Sequence, residues 1–183
     1  WLRRRLWLVA GGALVIATGA AVIWPFAAPG AALMLVAALG LVGQWGRRFG
    51  FKVMLADGVA TSLLAAVAGL LVTLAAGVAH GAGLLPPYPT LLAWVAGFLL
   101  PLVTGALSQL LPVWRWSGPA LPARHIMRQK LAASGSLRAA LFLAAALALL
   151  GGFALAAVLL VASALLLFIA GLLQAVRVSR STR

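Results

Sequence analysis

Few side chains in this sequence can do chemistry. Its 183 residues hold one acid, Asp57, two histidines, His80 and His125, and no cysteine. Without thiols there are no disulfides, thiolate metal sites, iron–sulfur clusters or cysteine nucleophiles. No Ser/His/Asp or HExxH arrangement is present, which argues against a hydrolase. Asp57 sits in FKVMLADGVATS, inside an apolar run. A carboxylate there serves either a proton relay or a structural contact, an ion pair or helix cap. Relays use several acids or histidines in series, and one acid favours the structural contact. His80 opens the loop HGAGLLPPYPT. A lone imidazole there is a candidate cofactor ligand (heme or metal), a pH sensor, or an interfacial hydrogen-bonding group. Thr61, Thr73, Thr104, Ser108 and Gln109 complete the polar residues expected inside the apolar segments.

The elements that must position these residues follow from composition. The chain is 65% hydrophobic and 8% charged, with a mean hydropathy of +1.16. In water it would expose more apolar surface than a soluble monomer carries, so lipid is its expected solvent. The net charge of +13 comes from 14 Lys and Arg against one acid. A balance this basic often marks nucleic-acid binding. Here the basic residues lie in short clusters between apolar runs, which is a membrane-topology pattern, and nucleic acid is excluded as a partner.

A helix crosses roughly 30 Å of hydrocarbon with about 20 apolar residues. Six spans are expected, near 6–24, 26–45, 53–79, 90–111, 137–150 and 154–176, within one all-α transmembrane domain covering 1–183. The last two would turn at Gly151-Gly152-Phe153. With six spans every basic residue falls on one side. Arg3, Arg4 and Arg5 precede the first span, and Arg47, Arg48 and Lys52 follow the second. Arg115, Arg124, Arg128, Lys130 and Arg138 join the fourth to the fifth, and Arg177, Arg180 and Arg183 end the chain. The positive-inside rule then puts both termini in the cytoplasm of a bacterial inner membrane. The opening WLRRRLW and its apolar run lack an A-x-A cleavage pattern, so they read as a span and not as a signal peptide. Beginning at Trp1 and not Met, the sequence reads as a processed chain or a piece of a longer one. Trp1, Trp7, Trp24, Trp45, Trp114 and Trp116 fall near span ends, as expected of a headgroup-level aromatic belt.

Asp57 lies five residues past Lys52, only about 7 Å along a helix at 1.5 Å per residue. Its insertion cost is therefore a fraction of the roughly 2.5–3.5 kcal/mol of a mid-membrane Asp. Lys52, Arg47 or Arg48 are the expected partners, reaching it by snorkelling. Asp57, Thr61, Ala65, Gly69, Thr73, Gly77 and Gly81 form a four-step row of small or polar residues, a slanted packing groove on the third span. In the fourth span Pro101 should kink the helix and free the carbonyl of Gly97. Thr104 and Ser108 share a face there, and Ala93, Gly97, Gly105 and Gln109 form a second small-residue row. Such a helix lines a cavity or packs centrally with its hydroxyls bonded back to its own backbone. The loop 113–136 predicts an interfacial helix opening at Pro122, with Ala123, Ile126, Met127 and Leu131 on the apolar face. Arg124, Arg128 and Lys130 would face anionic lipid or an acidic partner.

The stretch GALSQLLPVWRWSGP, Gly105 to Pro119, and the basic loop after it resemble the later helices of NnrS-type and heme–copper oxidase subunit I-like membrane proteins. That resemblance implies association with heme, copper and oxygen or nitrogen-oxide metabolism. A heme–copper centre needs several imidazoles at membrane depth, and this chain offers two, expected on opposite surfaces. Any heme would then be shared with a partner chain, and none is expected on this chain alone. Three readings follow: a non-catalytic membrane subunit or scaffold of a larger complex, to which the balance tips; a small transporter or channel lined by the third and fourth spans; and a fragment of an oxidase-like heme protein. The expected partners are the lipid bilayer and other membrane subunits.

Overall fold

In hydrocarbon every backbone N–H and C=O must be satisfied within the protein, so apolar runs of this length fold as helices. The computed structural model describes residues 2–22, 25, 27–116 and 122–181. Trp1, Trp24 and Arg183 lie outside these residues, as do the side chains of Arg3, Arg4, Arg5 and Arg180. The described chain forms α1 (Leu2–Val22), α2 (Ala27–Phe49), α3 (Phe51–Ala56), α4 (Gly58–Gly81), α5 (Pro87–Trp94), a π-helical turn (Val95–Leu99), α6 (Leu100–Arg115), α7 (Pro122–Ala133), α8 (Gly135–Leu150) and α9 (Ala154–Ser181). Among the described residues there is no strand.

Among the described residues, five stretches are long and apolar enough to cross a membrane: Ala27–Phe49, Gly58–Gly81, Pro87–Arg115, Pro122–Leu150 and Ala154–Val178. The expected first span forms α1, whose described apolar part, Trp7–Gly19, is shorter. The third expected span is not one helix. It breaks at Asp57, whose extended backbone (φ −92°, ψ 111°) separates α3 from α4. The fifth expected span is α8, only 16 residues long. It reaches membrane length by running on from α7 past a single turn residue, Ser134.

The turn at Gly151-Gly152-Phe153 closes α8 as expected. Gly152 takes φ +82°, Phe153 N–H donates to the Ala148 carbonyl at 2.8 Å, and Gly152 N–H donates to Leu149 at 3.1 Å. This is a Schellman ending, which needs a left-handed residue just past the helix. Before Pro101 the helix widens into the π turn, where Leu100 N–H reaches back five residues to Val95. Pro101 has no N–H to donate, and its ring would clash with the Gly97 carbonyl in a regular helix. The expected disturbance is thus a π turn, one of the standard causes of a helix kink.

Helix α4 is central, touching α2, α6, α7 and α8 as well as the π turn. Its buried line runs Gly58, Ser62, Ala65, Gly69, Thr73, Ala76. The spacing of fours and threes follows the 3.6-residue turn. A strict four-step row drifts off this line, so Gly77 is exposed with nothing within 4 Å of an added Cβ. Two glycine crossings set the closest approaches. A Cβ on Gly69 would collide with the Gly97 carbonyl, and a Cβ on Gly58 would collide with the Ala132 carbonyl.

Helix α7 forms, and Ala123, Met127 and Leu131 share its apolar face. That face does not rest on lipid. It packs into a core with Trp116, Phe168 and Ala175, flanked by Leu107 and Leu111. Trp116 is accordingly 7% exposed and belongs to this core, whereas Trp7 and Trp114 are exposed as a belt requires.

Candidate functional site

The polar side chains gather at the end of the bundle where α4 and α8 begin and α6 ends. Asp57 caps α4, its Oδ1 accepting from Val59 N–H at 3.0 Å. Its Oδ2 accepts from Arg128 Nη2 at 2.9 Å. Both expected structural contacts of Asp57, salt bridge and cap, are therefore present in one residue. The cationic partner is different. Lys52 is five positions away, about 140° around a helix at 100° per residue, and the chain breaks at Asp57. Arg128 instead comes from α7, 71 residues on. Its Nε donates to Gln109 Oε1 in α6 at 3.0 Å, so Asp57, Arg128 and Gln109 tie α4, α7 and α6 together. The pair is partly solvated, with side chains 41% and 35% exposed.

Thr61 donates to the Asp57 carbonyl at 3.0 Å, and Ser136 of α8 donates to Thr61 Oγ1 at 3.3 Å. Deeper in, the hydroxyls turn back on their own helices. Thr73 donates to Gly69 O at 2.9 Å, Thr104 to Leu100 O at 2.8 Å, and Ser108 to Thr104 O at 2.7 Å. Their donor capacity is thus used by backbone carbonyls.

Arg138 is the polar residue that sequence reasoning misplaced. Its position one turn into α8 suggested a loop cation, yet it is fully buried. Nη1 donates to Leu131 O at 3.0 Å and to Ser134 Oγ at 2.9 Å. Nη2 donates to Ser108 Oγ at 3.3 Å, and the guanidinium lies 5.2 Å from the Phe168 ring centroid. Among the described residues no carboxylate faces it. Neutral acceptors, the C-terminal end of α7 and an aromatic face take the place of a counter-ion. The signal in the sequence was Ser134 four residues earlier, on the same helical face.

Arg124 is half-buried and Lys130 exposed, neither in an ion pair. His80 is exposed, its Nδ1 2.7 Å from the Leu85 carbonyl, which leaves Nε2 for a ligand. His125 lies in α7, its Nε2 2.9 Å from Gln129. His80 lies in the last turn of α4, about 36 Å long at 1.5 Å per residue, whereas the helix that carries His125 packs at the start of α4, where Ala132 meets Gly58. The two imidazoles do not meet at one metal, and among the described residues no three metal-ligating side chains cluster.

Two larger cavities flank α4, beside a smaller one of about 260 Å³ next to Gly58, Gln129 and Ser136. One of about 420 Å³ is walled by Trp45, Phe49, Val53 and Leu63, with Asp57 and Gln109 as its polar lining. The other, about 340 Å³, lies at the far end beside Thr73, Leu74, Gly77 and His80. Fold and site together define an all-helical chain whose long apolar helices suit a multi-pass membrane protein. Comparison with protein-family models, curated proteins and solved structures finds no match to the chain.

Proposed function

We propose that this chain is a non-catalytic integral membrane subunit, a helical scaffold within a larger membrane complex. The observation that carries the reading is the outer face of α9. Leu155, Leu159, Leu166, Ile169 and Leu173 are all exposed there, and with exposed Ala162 they repeat at steps of four and three. That is the seam spacing of helices packed side by side. Any helical face has this spacing; α9 is the least covered of the five long stretches, which leaves this face open for a partner helix to pack along. The interior agrees with the reading. The hydroxyls of α4 and α6 are bonded to their own carbonyls, and α4 meets the π turn glycine against glycine. At that crossing the two backbones meet too closely for even a methyl group, which weighs against the transporter reading.

In this reading the basic end of the bundle, with Arg47, Arg48, Lys52, Arg124 and Lys130, faces the cytoplasm of a bacterial inner membrane. With α1 crossing as a sixth span, both termini lie on that side. Asp57 and Arg128 are structural, fastening α4 to α7.

The chain has no cysteine, so single cysteines report cleanly. Cysteines at 159, 166 and 173 should cross-link to one distinct polypeptide in native membranes. A cysteine at Val36, exposed on α2, should not. Native mass spectrometry should find the 18.8 kDa chain in a heavier assembly. No cross-link above the Val36 control, with a bare monomer by mass, would sink the subunit reading.

A further inference from the structure

The cavity of about 420 Å³ beside Asp57 is not used by the scaffold role, and its lining is chemically ordered. Trp45 and Phe49 from α2, Val53 from α3 and Leu63 from α4 form the apolar wall. Basic residues adjoin this wall in the sequence without lining the cavity itself. Arg48 lies over the Phe49 ring at 5.5 Å, and Arg47 and Lys52 are exposed within one turn of the wall. The polar end is balanced. Arg128 neutralises Asp57, so the acid does not repel an anion at the rim. Gln109 spends its carbonyl oxygen on Arg128, which leaves its amide N–H groups to donate.

We propose that this cavity holds one acidic phospholipid of the surrounding membrane. Its phosphate sits among Arg47, Arg48 and Lys52. Its glycerol and ester region lies between Trp45 and Phe49, with an ester carbonyl accepting from Gln109. One acyl chain leaves along Val53 and Leu63. The assignment rests on charge complementarity with continuity to lipid: a basic rim, an apolar wall and a neutral hydrogen-bond donor in sequence. Basic pockets between membrane helices select anionic headgroups in this way. At about 420 Å³ the cavity takes a portion the size of a small ligand, the glycerol–ester region and the start of one acyl chain, with the headgroup and the rest of the chains outside it.

The test uses the full chain, purified in mild detergent, delipidated, and titrated with phosphatidylglycerol or phosphatidylcholine under native mass spectrometry. One phosphatidylglycerol should bind at least about tenfold more tightly than phosphatidylcholine, since each basic residue near an anionic lipid contributes a several-fold gain. The exposed-residue variant R47Q/R48Q/K52Q should erase that preference and leave the fold intact. Ala60 of α4 also lines the cavity, so filling it with A60F, or separately with L63W, should lower retention of phosphatidylglycerol about tenfold with all rim charges in place. Equal binding of the two lipids to the unaltered chain overturns the proposal. So does loss of preference in the charge variant without any effect of either filling variant, which would mean surface attraction only. If A60F unfolds the chain, L63W carries the same decision.

Discussion

Replacing Asp57 by Asn and by Ala separates the two jobs of the only acid in the chain. Asn keeps a side-chain oxygen to accept from Val59 N–H, because Asn caps helices as well as Asp does. It loses the charge that faces Arg128. The pair is 41% and 35% exposed, so its worth belongs in the surface range of about 0.2–1 kcal/mol. Ala loses the cap as well, which adds about 0.5–2 kcal/mol. Asp57→Asn should therefore cost at most about 1 kcal/mol, and Asp57→Ala about 1–3 kcal/mol. Thermal unfolding in detergent reads these directly, at about 2–4 °C per kcal/mol for a chain of this size. Salt provides a second axis. At about 1 M the screening length shrinks to about 3 Å, so the gap between unaltered protein and Asp57→Asn should close while the Ala deficit persists. The cycle with Arg128→Gln should return a coupling within the same range. If Asp57→Asn costs as much as Asp57→Ala and salt leaves both deficits unchanged, the cap is not what holds α4.

Other variants follow the same logic. Gly69→Ala should destabilise by about 1–3 kcal/mol, because its Cβ meets the Gly97 carbonyl and rigid helices resist overpacking. Gly77→Ala, two turns along the same four-step row, should be neutral or stabilising in the same melt, since nothing lies within 4 Å and Ala is the better helix former. Arg138→Met should cost about 1–3 kcal/mol by leaving the buried Leu131 carbonyl without its donor; an unchanged melting temperature would contradict the contacts described. Phe168→Leu should weaken the same node by about 1–2 kcal/mol through loss of the cation–π contact, and should add little in the Arg138→Met background.

The helical class and the apolar stretches were legible because hydrocarbon leaves the backbone few alternatives. The end of α8 was legible too, since a Gly-Gly step after an apolar run has few other uses. Asp57 was half legible. Its cap and its salt bridge were both foreseeable from one acid in an apolar run, but the break it makes between α3 and α4 was not, nor was Arg128. A partner 71 residues away is set by how α7 packs, and no local spacing encodes that. Helix α7 shows the same limit. Its amphipathic pattern was plain, but periodicity cannot say whether lipid or protein covers an apolar face. Trp116 and Phe168 cover it here.

Arg138 carries this furthest. By sequence it is one more member of a basic cluster, and counting charges by loop treats it like Arg124 or Lys130. In the fold it is fully buried, joining α6 through Ser108, α7 through Leu131, and α9 through Phe168. A buried cation held by neutral partners is costly to desolvate, and what Arg138→Met loses is the pairing of the buried acceptors it leaves behind. What it secures is register. Leu131 O, Ser134 Oγ, Ser108 Oγ and the Phe168 ring meet one rigid guanidinium only if α6, the α7–α8 joint and α9 stand in one alignment. Asp57 fixes α4 to α7 from the other side through Arg128. The two arginines therefore hold α7 between them, and α7 carries Arg128 to Gln109 at the edge of the larger cavity. Loosening Arg138 should in consequence shift the Arg128–Gln109 contact, a coupling that a double-mutant cycle between Arg138→Met and Gln109→Leu would expose as non-additive stability.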